Sequence, residues 1–106
     1  MMSVPSELVD GWVLLRPRGD LDLATAPALR GAGLKALEET SRLIVDLRSV
    51  DMVDSVALGI LLGLDRRCRQ LGGALRLVID EPRVRKIFEL TRTDSLLDIR
   101  LVVDTS

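Results

Sequence analysis

The residue whose surroundings carry the most chemical meaning is Ser55, in the stretch LIVDLRSVDMVDSVALGILLGL from Leu43 to Leu64. The apolar run Leu43-Ile44-Val45 reads as a strand, the segment with Asp46, Asp51 and Asp54 as a loop, and Ser55 as the opening of a helix. Open α/β sheets place working groups outside the carboxyl ends of their strands. Helix starts carry unpaired N–H groups that favour anionic oxygens. Ser55 therefore stands where a phosphate is tolerated. From local chemistry alone, a serine at this position is an N-cap worth about 1 kcal/mol.

Other chemistries meet specific obstacles. The strand–turn–serine–helix order resembles a hydrolase nucleophile elbow, but Val53 and Ala57 occupy the positions where that motif needs glycine. The chain has no histidine, which removes the commonest general base and the commonest zinc ligand together. Lys35 and Lys86 are the remaining bases, and neither falls near Ser55 in the helix order, so the chain does not read as an enzyme. Asp20, Asp22, Asp46, Asp51 and Asp54 offer oxygens to a hard cation. The same residues serve as turn and cap residues, the reading we prefer, so no metal and no cofactor is expected. A receiver domain also places an acidic acceptor after a central strand. This chain lacks an acidic pair after its first strand and begins with a hairpin.

Composition narrows the partners. The 106 residues form one domain by size, spanning 1–106. Trp12 and Phe88 are the only aromatic residues, so the core is aliphatic. Net charge is −1, without the basic excess of a nucleic-acid-binding surface. Cys68 is alone and cannot form an intrachain disulfide, which fits a reducing cytoplasm. No apolar stretch approaches the ~20 residues needed to span a bilayer, and the N-terminus lacks the regions of a signal peptide. The expected location is the cytoplasm, without membrane insertion.

The elements that must position Ser55 follow from periodicity. Leu8-Val9 and Trp12 to Leu15 flank Asp10-Gly11, predicting a hairpin. Gly19 to Asp22 reads as a loop. Asp22 or Thr25 caps a first helix, with Pro27 in its first turn and an end near Glu39. Gly31 and Gly33 weaken that helix, so Leu29, Leu34 and Leu37 must anchor it to a sheet. Leu43 to Leu47 is the central strand. Ala57, Leu61, Leu64, Cys68 and Leu71 then recur at helical spacing, with Arg66, Arg67 and Arg69 in the last turns and Gly72-Gly73 as the stop. Cys68 falls on the core stripe. Ala74 to Ile79 forms another strand, Asp80-Glu81-Pro82 starts a third helix with Val84, Ile87, Phe88 and Thr91 on one face, and Leu96-Leu97 with Ile99 to Val103 make a last short strand. The fold class is α/β: an N-terminal hairpin, then alternating helices and strands, giving a mixed sheet covered by helices. Residues Val56 to Leu64 carry no polar side chain, so one part of that helix is buried more deeply than a single stripe or is left for a partner.

Several segments in order resemble the STAS family, the sulfate-transporter and anti-sigma-factor-antagonist domains. They are Gly19-Asp20-Leu21-Asp22 with Thr25-Ala26, Val45-Asp46-Leu47, Val53-Asp54-Ser55 with Leu58-Gly59, and Gly72-Gly73 before a strand. The resemblance runs from about Leu8 to Leu97. It implies an anti-sigma factor antagonist that binds an anti-sigma factor, often a serine kinase of ATPase-type fold. In the family pattern the serine after the aspartate accepts phosphate, and that position is Ser55, with Asp54 as the aspartate. The implied partner-binding residues are Asp20, Asp22, Asp54, Ser55, Val56, Leu58 and Ile60.

The chain departs from the pattern at Val56, where a small hydroxyl residue is usual, and at Ala57, where glycine is usual. The Ala57 methyl is expected to hinder a kinase's approach. Ending at Ser106, the chain is expected to lack a further C-terminal helix, leaving apolar surface near Ile99 to Val103 for a homodimer or a partner. A STAS scaffold subunit of a transporter or sensor complex is the alternative to a binding switch.

Overall fold

The computed structural model describes residues 4–101. Asp10 and Gly11 take positive φ values of 51° and 84°. That turn matches the twist of paired strands, so β1 (Ser6–Val9) and β2 (Trp12–Leu15) form an antiparallel hairpin. After the short β3 (Gly19–Leu21), α1 (Ala26–Ala36) has Pro27 in its first turn. The central strand β4 (Arg42–Asp46) follows, then β5 (Val50–Val53) and α2 (Ser55–Gln70). Strand β6 (Ala74–Ile79), α3 (Pro82–Leu90), a short 3-10 turn and β7 (Asp98–Leu101) complete the described chain.

The main sheet has the order β1-β2-β4-β6-β7, with β4 at its centre and only the hairpin antiparallel. Each helical connection steps the same way across this sheet, so right-handed crossovers put α1, α2 and α3 on one face. Leu29, Leu43, Val45, Leu61, Leu77 and Phe88 are fully buried between the layers. The opposite face carries the half-buried Trp12, Leu14, Ile44 and Val78. There the guanidinium of Arg76 lies 4.6 Å from the centre of the Trp12 ring and that of Arg42 5.9 Å away.

Four expectations change, one of them the loop read between Asp46 and Asp54, which contains β5. The Gly19 to Asp22 segment is not wholly loop, because β3 pairs parallel with β5 in a separate two-stranded sheet. Strand β5 lacks the usual alternation: Val50 and Val53 are buried while Asp51 and Met52 both face out. The first helix stops at Ala36, although the chain keeps turning to Thr40 through bonds to the carbonyls of Lys35 and Ala36. Strand β7 begins only at Asp98, because Leu96, expected in the strand with Leu97, closes the 3-10 turn before it. Val102 and Val103, part of the expected self-association surface, lie outside the described residues.

One glycine is dictated by packing and another by backbone conformation. A side chain at Gly33 would strike Leu64, so its absence lets α1 and α2 pack closely. At the end of α2, Gly72 has φ +81°, its N–H donates to the Arg69 carbonyl, and the Gly73 N–H donates to the Cys68 carbonyl. These are the two bonds of a Schellman stop. Cys68 itself is buried, and desolvation, assisted by the nearby Asp65 carboxylate, pushes its thiol up to about 11. It is an inert core residue.

Candidate functional site

The start of α2 is built by Asp54, and this corrects the N-cap assignment. Asp54 is the N-cap, in extended conformation, and its Oδ1 accepts a hydrogen bond of 2.8 Å from the Ala57 N–H. Ser55 is the first helical residue and does not cap. The second oxygen of Asp54 accepts 2.9 Å from the Leu23 N–H, 31 positions earlier in the chain. One carboxylate thus ties the segment after β3 to the helix start. Asp54→Ala should lose the cap and this tie together, lowering stability by about 1–2 kcal/mol in urea unfolding.

The segment after β3 is held by a second local network. Asp22 Oδ1 accepts from the N–H groups of Ala24 at 3.0 Å and Thr25 at 3.1 Å. The Thr25 hydroxyl receives the Asp22 N–H at 2.9 Å and donates to the Asp20 carbonyl at 2.7 Å. Asp22 and Asp54 are therefore occupied as builders, while the Asp20 side chain is exposed.

Ser55 is exposed, and among the described residues its hydroxyl makes no hydrogen bond. The first turn of α2 carries no acidic side chain, so within this element only the Asp54 carboxylate at the N-cap offsets the positive end of the helix dipole. Around it stand three exposed apolar side chains: Leu23, 70% exposed, Met52 at 41% and Val56 at 40%. Asp20 pairs with Met52 across β3 and β5. Leu23 and Met52 were not singled out from the sequence. Their signal was an apolar residue inside an acidic turn or loop, outside any helical stripe.

Two further expectations are corrected. Leu58 is only 6% exposed and belongs to the core, so it cannot offer surface to a partner. Ala57 is fully buried, so its methyl points into the packing between helix and sheet and cannot obstruct an approaching kinase. Ile60 is half-buried and Val56 is on the surface.

The acidic residues do not converge. Among the described residues no group of three or more His, Cys, Asp or Glu side chains forms a possible metal site. Asp46, nearly buried at the end of β4, is held by Arg48: Nε donates to Oδ1 at 2.9 Å, Nη2 to Oδ2 at 2.8 Å, and the Arg48 N–H to Oδ1 at 3.0 Å. Burial acts to raise the carboxyl, but the Arg48 side-chain and backbone hydrogen bonds and the charges of Arg48 and Arg16 outweigh it and hold it below its ordinary 3.8. A depressed carboxylate contributes stability that is complete above its unfolded value and disappears as pH falls through the folded one. The stability lost in Arg48→Gln should therefore be greatest near neutral pH and should shrink below about pH 4. Urea unfolding across a pH series measures it.

Among the described residues no helix is long and apolar enough to cross a membrane. The family model of the STAS domain matches residues 3–106. The anti-sigma-B factor antagonist of Bacillus subtilis (strain 168) is 30% identical over 81 residues, 76% of this chain and 74% of that protein. The crystal structure of an anti-sigma factor antagonist from Mycobacterium paratuberculosis superposes with a TM-score of 0.86 at 27% identity, covering 98% of this chain and 89% of that one. The Bacillus cell fate determinant SpoIIAA in its phosphorylated form superposes with a TM-score of 0.74 at 21% identity, covering 96% and 93%. On a match that runs through the whole described sheet and its helices, this chain belongs to the STAS domain family.

Proposed function

We propose that this chain is an anti-sigma factor antagonist of the cytoplasm, that its partner is an anti-sigma factor with the ATPase-type fold of a serine kinase, and that phosphorylation of Ser55 ends the binding. The observation that carries this reading is an exposed serine whose hydroxyl is unengaged among the described residues, at the first position of a helix, surrounded by Leu23, Met52 and Val56. An apolar patch beside a modifiable hydroxyl suits a contact that a charge can break. The relatives support it: the Bacillus subtilis and Mycobacterium paratuberculosis proteins are named anti-sigma factor antagonists, and the Bacillus determinant exists in a phosphorylated form. Asp20, Ser55, Val56, Ile60, Leu23 and Met52 form the contact, and Asp22 and Asp54 hold it in shape.

Affinity capture from the source cell with the unmodified chain, read by mass spectrometry, tests the partner. A kinase-fold anti-sigma factor is the expected capture, and ATP added to the purified pair should place one phosphate on Ser55. Recovery of transporter or sensor subunits in its place would favour the scaffold role.

A further inference from the structure

Four glycines lie in the interiors of α1 and α2, and the fold accounts for only one of them. Gly33 makes room for Leu64, but among the described residues a side chain built at Gly31, Gly59 or Gly63 would meet nothing within 4 Å. None of these has a positive φ. Glycine in a helix interior is unfavourable relative to alanine, so Gly59 and Gly63 weaken α2 without any return inside the chain. They floor a groove of about 400 Å³ between α1 and α2, whose walls include Leu34 and Ile60 and whose rim carries Arg30, Arg66 and Arg67. A second depression continues it along Leu37 to the exposed Leu71 and includes Glu38. From Gly59 to Leu71 the helix axis runs about 18 Å at its regular rise, close to three turns.

The rim is electrostatically unfilled. Among the described residues, the other α2 arginine, Arg69, pairs with Asp65 at 2.7 Å, while Arg30, Arg66 and Arg67 form no ion pair. The groove also joins the site already described, because Ser55, Gly59, Gly63 and Arg66 share one face of α2.

From this groove we infer that an acidic helix of the anti-sigma factor docks between α1 and α2, its backbone brought close by Gly59 and Gly63 and its carboxylates met by Arg30, Arg66 and Arg67. The inference rests on the proposed antagonist function and adds the chemistry of the partner. A bare helix surface lets another backbone approach, and unpaired guanidinium groups match carboxylates in two-pronged geometry. A phosphate on Ser55 would stand one turn from the head of the groove and repel the same acidic segment.

The test is calorimetry of three proteins against the purified anti-sigma factor: the wild-type chain, the triple variant Arg30→Gln/Arg66→Gln/Arg67→Gln, and Gly63→Leu. Each variant should bind at least tenfold more weakly. Gly63→Leu should nevertheless melt a few degrees higher, since leucine favours the helix and meets open space. Hydrogen exchange on the partner should show protection of an acidic helix. Wild-type binding with both variants unchanged would overturn the groove and leave the antagonist function standing. No binding by the wild type would remove both. Protection confined to a basic or uncharged segment, or a lower melting temperature for Gly63→Leu, would also overturn it.

Discussion

Phosphoserine at position 55 should weaken binding to the anti-sigma factor at least a hundredfold, with Ser55→Asp shifting in the same direction and Ser55→Ala binding as the unmodified chain does. Phosphorylation adds about −1.5 to −2 charges at neutral pH. Inside the domain this is tolerated: Ser55 opens α2, its hydroxyl is unengaged among the described residues, and the first turn carries no acidic side chain. The cap is made by Asp54, so changing Ser55 removes no hydrogen bond from the helix start. The effect must then fall on the partner. A hundredfold loss corresponds to about 2.8 kcal/mol, within the range for leaving a desolvated charge against an apolar contact such as Leu23 and Val56. Calorimetry with the purified partner measures it. Equal affinities for Ser55→Ala and Ser55→Asp would make Ser55 an ordinary helical residue and favour the scaffold role.

Gly73→Ala should destabilise the domain by about 3 kcal/mol, at the upper end of what overpacking costs. A methyl group there would collide with the Ser41 carbonyl and with the Ser41 side chain. The obstacle is backbone at the entrance to β4, fixed by the bond from the Ala74 N–H to that same carbonyl and by the pairing of Arg42 with Ala74. It cannot rotate away as a side chain could. The same substitution at Gly31 meets open space and should instead stabilise α1 by about 1 kcal/mol. Urea unfolding of the two variants should therefore move the midpoint in opposite directions with little change in slope.

The parts of this fold that could be read from the sequence are those where one side-chain pattern serves one face. The stripe Ala57, Leu61, Leu64 and Cys68 is buried as its spacing requires, and the Asp10-Gly11 pair makes the turn its chemistry demands. Strand β5 was hidden because its two outward residues, Asp51 and Met52, are adjacent and break the period of two. The cap was misplaced by one residue because aspartate and serine are both good caps, and only the tie from Asp54 to the distant Leu23 N–H decides between them. The run from Val56 to Leu64 gave no face at all. In the structure it divides into the buried Ala57, Leu58, Leu61 and Leu64, the exposed Val56 and Gly59, and the half-buried Ile60, Leu62 and Gly63. Ser55 was placed at a helix start by local pattern, but its exposed apolar surroundings depend on β3 and β5 lying side by side.

Trp12 gives the domain an optical property that follows from its one-sided architecture. It is the only tryptophan in a chain without tyrosine, so near-ultraviolet emission comes from one known place. That place is the sheet face turned away from the helices, beneath the Arg76 guanidinium. Ser55 lies at the start of a helix on the other side. Emission from Trp12 is thus a reporter of events on the far surface of the sheet, and a partner that engages α2 alone can bind without altering its colour.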